Sequence, residues 1–231
     1  MTSDILAAIL TTAAFAVLAH TFGMVGKSGA IGGFIIGAAI FLCLGPPGFI
    51  VLALFVIGGS ALTRLGYERK KNTGTAQTEG GRRSAKNAFA NCSAAAACAI
   101  LYSLTNHEPF AAAFVAALGA AFADTAESEV GQIYGRMPRL VTNLRKVPPG
   151  TDGAVSLPGT AAGLAAATLI ALAGLSLGLV DGFGAALVVA LAAFLGTVAD
   201  SFVGARIPKV GNEATNVICT LAAAVLALLI L

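Results

Sequence analysis

The segment AAFADTAESEVGQIYG, residues 120–135, runs from apolar residues straight into Asp124, Glu127 and Glu129. On an α-helix Asp124 and Glu127 stand at i and i+3 and share a face, which Ser128 and Gly131 extend, whereas Glu129 is rotated about 140° from Asp124. A further acid, Asp200, lies in VADS at 198–201. Two carboxylates on one helix face and a third from another helix suit a hard divalent cation. Mg²⁺ or Mn²⁺ prefers oxygen ligands, and Mg²⁺ commonly bridges protein carboxylates to substrate phosphates. Asp124, Glu127 and Asp200 are therefore the expected metal ligands. Glu129 reads more simply as a helix-end charge, solvated at the interface or paired with Arg136 or Arg139.

Cations stand ready to face these acids. GTAQTEGGRRSAKNAFAN (74–91) has glycines that let the backbone approach a ligand, then Arg82, Arg83 and Lys86. LRKVPPGTDGAVSLPGT (144–160) has Arg145 and Lys146, a Pro-Pro-Gly turn ending at Gly150, and Ser156 opening the next apolar run. Gly-rich turns and helix N-termini present backbone N–H groups to phosphate. Arg82, Arg83, Lys86, Lys146, Gly150 and Ser156 are the expected phosphate contacts, with Lys146 also expected in catalysis. The competing explanation is a basic loop that only touches lipid head groups. Asn87/Asn91 and Asn212/Asn216 are i,i+4 pairs, each on one helix face, and are expected to orient a nucleotide or metal-bound water.

Other patterns carry less. TFGMVGKS (21–28) resembles a phosphate-binding loop, but Thr21 stands where its first glycine belongs and no strand precedes it. Cys43, Cys92, Cys98 and Cys219 lie in apolar segments without metal-type spacing and read as small buried residues. His20 and His107 fall in short inter-span loops.

The elements that must position these groups are membrane helices. Of 231 residues 57% are hydrophobic and 11% charged, with mean hydropathy +0.87. A soluble domain carries about 25% charged residues. Abundant Ala and Gly suit closely packed transmembrane helices. The fold class is therefore all-α, a polytopic bundle forming a single membrane domain over 1–231. The start of the chain has no basic region before its apolar run and reads as the first span rather than a signal peptide. Spans are expected near 4–20, 29–44, 47–64, 88–104, 110–129, 158–179, 183–203 and 213–231, with one or two of the short, Gly-rich ones as candidates for re-entrant segments.

Charge tests that count. With eight spans, the loops 21–28, 65–87, 130–157 and 204–212 share one side and, with Arg64 at a border, collect all 14 Lys and Arg residues. The positive-inside rule makes 65–87 and 130–157 cytoplasmic basic loops and puts both termini on the non-cytoplasmic side. An internal echo strengthens this picture: FADT (122–125) resembles VADS (198–201), and NAFAN (87–91) resembles NEATN (212–216). Duplication and chance similarity in Ala-rich sequence both account for it. Either way, spans four, five, seven and eight bring polar groups to one membrane level.

ADTAESEVG, KVPPGTDGAVSLPGT, ADSFVGA and NEATN, in that order, resemble the transmembrane protein 19-like family over roughly residues 60–231, with looser similarity toward the N-terminus. That family includes the plant phytyl-phosphate kinase and is distantly similar to dolichol kinases and CDP-diacylglycerol synthases. The sequence departs from the family pattern at Ala126, at Ala154 and in GNEATN. The resemblance implies an Mg-dependent kinase that moves a phosphoryl group from a nucleoside triphosphate, CTP by resemblance, to an isoprenyl monophosphate of phytyl or geranylgeranyl type. The alternatives are an ion-coupled transporter and a cytidylyltransferase forming a CDP-lipid. The expected partners are the isoprenyl phosphate, the nucleotide and membrane lipids, with no nucleic acid; a homodimer is one of the oligomeric states left open. In a prokaryote the expected location is the inner membrane, with the site facing the cytoplasm.

Overall fold

The computed structural model describes residues 2–77, 79–207 and 210–231. Its long helices are α1 (Thr2–Thr21), α2 (Lys27–Arg64), α4 (Ala85–Thr105), α5 (Pro109–Tyr134), α6 (Leu157–Ser176), α7 (Gly182–Arg206) and α8 (Asn212–Ile230), and a short α3 (Tyr67–Asn72) follows α2. Among the described residues seven helices are long and apolar enough to cross a membrane. One of them, α2, has 38 residues and is broken at Gly45, whose φ of 66° and ψ of −162° belong to a region that only glycine occupies readily. Pro46 and Pro47 then withhold two N–H groups from the ladder. The chain folds back there: a Cβ on Gly37 would lie 3.2 Å from the Phe49 ring. In a straight helix those residues would be about 18 Å apart. The two legs of α2 therefore occupy the places of the second and third expected spans, so the bundle has eight apolar legs.

The remaining helices match the expected spans and extend some of them. α4 begins at Ala85, where Ser84 and Asn87 form a reciprocal capping box. α5 runs on to Tyr134, past its three acids. The two stretches expected as loops have structure of their own. Residues 65–84 hold α3 and a 3₁₀ turn at Glu79–Gly81. Residues 135–156 hold a two-stranded antiparallel ribbon, β1 (Arg139–Leu140) paired with β2 (Ala154–Val155), Arg139 facing Val155. Alternation of the legs brings both of these, and every described Lys and Arg, to one end of the bundle, while the two chain termini lie at the other. Lys209, counted with the basic loops, lies outside the described residues.

α5 is the most buried span. Every residue from Ala111 to Ala123 is buried, and most are Ala or Gly, so neighbouring helices approach closely. Gly119 touches Ala193 of α7 and Ile170 of α6, and the Cys219 thiol of α8 lies 3.9 Å from the Ala120 carbonyl. Large apolar side chains such as Leu6, Val17, Ile31, Leu169, Phe183 and Leu229 point outward, as a lipid-facing surface requires.

Glu129 corrects one expectation. It is buried and pairs with Lys70 of α3, not with Arg136 or Arg139. Lys70 is buried too and donates to the Thr63 carbonyl at 2.8 Å and the Leu62 carbonyl at 3.4 Å, two acceptors left over at the end of α2. One ammonium thus joins α2, α3 and α5. Removing either partner leaves a buried charge unpaired, so Lys70→Met and Glu129→Gln are each expected to destabilise the protein by about 3–5 kcal/mol, and the pair Lys70→Met/Glu129→Leu to recover most of that loss. Unfolding in detergent measures this; a double variant as unstable as the sum of the singles would contradict it.

Candidate active site

The polar end of the bundle encloses a cavity of about 820 Å³. Each wall is set by the end of a helix. α5 contributes Asp124, Thr125, Glu127 and Gln132, and α7 contributes Asp200 and Ser201. The turn before α4 contributes Arg82 and Arg83, and α4 itself Asn87 and Asn91. α8 brings Asn212 and Asn216, and the segment leading into α6 brings Gly150, Asp152 and Ser156. Asp124, Glu127, Asp200, Arg82, Arg83, Asn87, Asn91, Gly150, Ser156, Asn212 and Asn216 are thereby brought together, although they come from five stretches of chain.

Lys86 and Lys146 are not. Both are exposed and absent from the cavity wall. Lys86 lies one helical step from Asn87, which faces inward, and so points elsewhere. Lys146 sits on the outer turn of the β1–β2 ribbon, bridged to Arg139.

Asp124 is close enough to Asp200 and Glu127 for their charges to repel, and Arg83 offsets them. Glu127 accepts a hydrogen bond from Thr160 at 3.2 Å, which ties α5 to α6. Gly159 makes that approach possible, since a Cβ there would lie 2.7 Å from the Glu127 carbonyl. The ribbon is held against α7 in the same way: Gly153, at φ 72°, packs on the Ser201 carbonyl and Ala205 with no space for a side chain. Asp152 is thereby held in the wall near Asp200.

Arg83 is the most constrained cation. Its backbone pairs with the α1–α2 turn, donating to Met24 at 3.1 Å and accepting from Gly26 at 2.9 Å. Its guanidinium lies 4.8 Å from the centroid of the Phe55 ring, beside Gly59, and donates to Thr125 at 3.3 Å. Burial lowers its pKa from the ordinary arginine value, opposed by Cys92, Glu129 and Asp124. Several expected ligand contacts also have structural duties. The Asn87 side chain accepts from Ser84 N at 3.0 Å, Asn91 donates to the Asn87 carbonyl at 2.9 Å, and Ser156 caps α6 by accepting from Gly159 N at 3.3 Å.

Sequence reasoning missed Thr125 and Gln132. Thr125 was visible as the hydroxyl of the Asp-Thr motif; Gln132, two turns beyond Asp124, had no distinguishing signal.

Two acceptors in the wall, Asp200 Oδ1 and Gln132 Oε1, are buried without a hydrogen-bond partner among the described residues. Orphan acceptors beside repelling carboxylates fit a cation or a hydrogen-bond donor. Among the described residues no three His, Cys, Asp or Glu side chains form a ready-made metal cage. The orphan Asp200 oxygen beside Asp124 and Glu127 would suit an ion that brings its own waters or phosphate oxygens, as Mg²⁺ does, and not one that needs a complete protein cage.

An apolar helical bundle with a charged cavity at one end defines an integral membrane protein. The family described as integral membrane protein DUF92 matches residues 10–224, and the chain belongs to it, the transmembrane protein 19-like family to which its motifs pointed. The uncharacterized membrane protein sll0875 of Synechocystis sp. is 37% identical over 202 residues, 84% of this chain and 78% of that one. Protein VTE6, chloroplastic, of Arabidopsis thaliana is 32% identical over 202 residues, and the match covers 83% of this chain and 60% of the plant protein. The uncharacterized membrane protein MJ0933 of Methanocaldococcus jannaschii is 34% identical over 210 residues, 88% of this chain and 84% of that one. No solved structure matches the chain.

The unpaired Asp200 oxygen makes a signed prediction. In EDTA, Asp200→Asn relieves repulsion and is expected to raise Tm by about 2–4 °C, the shift that about 1 kcal/mol gives a chain of this size. Mg²⁺ is expected to stabilise the wild type and not the variant. Equal responses to Mg²⁺ would contradict a cation at this place.

Proposed function

We propose that the protein transfers a phosphoryl group from a nucleoside triphosphate, CTP by family resemblance, to an isoprenyl monophosphate of the phytyl or geranylgeranyl type, giving the diphosphate. The observation that carries this reading is the meeting of Asp124, Glu127 and Asp200 with Arg82 and Arg83 in one cavity at the end of an apolar bundle. Such a site suits an amphiphile whose head carries phosphate and whose body is hydrocarbon. Membership of the family that includes the plant phytyl-phosphate kinase supports the same class of acceptor. The positive-inside rule supports a cavity that faces the cytoplasm, where nucleotide is available.

The acceptor is already an oxyanion, so no strong base is needed. A phosphate oxygen of the isoprenyl monophosphate attacks the γ-phosphorus of the nucleotide. The bond from that phosphorus to the β–γ bridging oxygen breaks, and nucleoside diphosphate leaves with the electron pair. The protein's work is to hold two anions together and balance their charge. Arg83, fixed by its backbone pairing, by Phe55 and by Thr125, is preorganised to do so. Arg82 adds an exposed cation at the rim. Asp124, Glu127 and Asp200 would hold Mg²⁺ or Mn²⁺, which when bound neutralises phosphate charge as a Lewis acid. Asn212, Asn216 and the turn at Gly150 stand where they can orient the nucleotide. Lys86 and Lys146, exposed outside the wall, have no part in this proposal.

A transporter would need a polar route to the far side. α5 offers none, being buried and entirely apolar or glycine from Ala111 to Ala123.

Purified protein incubated with Mg²⁺, a panel of nucleoside triphosphates and geranyl, farnesyl, geranylgeranyl or phytyl monophosphate is expected to yield prenyl diphosphate and nucleoside diphosphate by mass spectrometry. Asp124→Asn is expected to lower kcat by about 10²-fold or more while the protein remains folded. A CDP-lipid with pyrophosphate would instead identify a cytidylyltransferase, and uptake into proteoliposomes without nucleotide a transporter.

A further inference from the structure

A second, apolar space borders the polar cavity. It lies between α1, both legs of α2 and the start of α4, with walls that include Phe15, Ala19, Ile36, Phe49 and Leu52. Arg83 and Asn87 line both spaces. Arg83 straddles the boundary physically: its guanidinium rests over Phe55, a wall of the apolar slot, and donates to Thr125, a wall of the polar cavity. The slot is about 50 Å³ in volume, against about 820 Å³ for the cavity. A space this small, walled by α1, both legs of α2 and α4, takes at most one hydrocarbon chain and not two side by side. Gly33 opens onto free space, with no atom within 4 Å of the position its Cβ would take. Gly29 to Ile36 amounts to about 10 Å of helix, so the slot grips the part of a tail nearest its head group. At its deep end Phe15 and Phe49 meet edge to face with centroids 5.4 Å apart.

We propose that this slot receives the proximal isoprene units of the acceptor, with the acceptor phosphate against Arg83 at the mouth. The inference rests on the kinase reading for the identity of the acceptor and adds the place of its tail and a basis for selection. A cation set at the junction of a wide charged cavity and a narrow apolar slot matches an amphiphile with an anionic head and one tail. A diacyl phosphate has the same head chemistry but two chains, and the slot turns it away. Apolar side chains on the outside of the bundle meet lipid without distinction; this slot is the place where chain number can be read.

The test uses the full-length protein in nanodiscs and a prenyl monophosphate with a diazirine in its second isoprene unit. Photolysis and peptide mapping are expected to give adducts on slot-lining residues of α1 and α2, at least tenfold reduced by excess phytyl monophosphate and unchanged by excess dioleoyl phosphatidate. Gly33→Leu projects into the open space and is expected to abolish those adducts and to raise KM for phytyl monophosphate with little change in kcat. Ala30→Leu, which narrows the same wall, serves if Gly33→Leu fails to fold. Adducts confined to lipid-facing positions such as Leu169 and Phe183, adducts insensitive to both leucine variants, or equal competition by phosphatidate would overturn the proposal. Turnover with adducts elsewhere removes the slot and leaves the kinase; competed slot adducts without turnover leave the slot and remove the kinase.

Discussion

One constraint organises this protein: the helix at the centre of its bundle ends in three carboxylates. α5 is buried from Ala111 to Ala123 and then carries Asp124, Glu127 and Glu129 within two turns. Carboxylates at the border of a low-dielectric bundle need countercharge, hydrogen bonds or water. The three are served differently. Glu129 is neutralised by the buried Lys70. Glu127 takes a hydroxyl from Thr160. Asp124 is left facing Asp200, with Arg83 as its offset. The first two arrangements hold helices together, and the third leaves a charge imbalance exposed to a cavity.

The same economy governs the cations. Lys70 is consumed by structure, gathering the end of α2, the short α3 and α5 around one ammonium. Arg83 is held just as firmly, but over an aromatic ring and a hydroxyl, neither of which neutralises it. Rigidity without a carboxylate bonded directly to it is the condition under which a guanidinium serves an anionic ligand, because little reorganisation remains to be done when the ligand arrives. The small residues of the bundle make this possible. Gly59 leaves room for the guanidinium, and Gly159 lets α6 reach Glu127.

Much of this was legible in sequence because membrane helices write themselves as long apolar runs and because Asp124 and Asp200 break such runs. The Gly45–Pro46–Pro47 break was readable for the same reason, and the echoed Asp and Asn motifs do reach one cavity. Other features depended on contacts with no local signature. Lys70 and Glu129 are 59 residues apart, and nothing near Lys70 sets it apart from Arg69 or Lys71. Lys146 precedes a Gly- and Pro-rich texture that suggests phosphate, but the β1–β2 ribbon turns it outward. Ser84 and Asn87 have capping-box spacing, which shows why Asn87 serves helix α4 as well as the cavity wall. The apolar slot arises only when α1 and the two legs of α2 pack together, so no single segment announces it.

The central claim is that acids from α5 and α7 hold one divalent ion against phosphate. Pulsed electron-spin measurements on protein loaded with a single Mn²⁺ and nucleotide test it most directly. The account predicts ³¹P hyperfine coupling at the bound ion in the wild type, absent when Asp124 and Asp200 are both changed to Asn. Phosphorus coupling of the same strength in that double variant, or an ion bound with no phosphorus beside it, would contradict it.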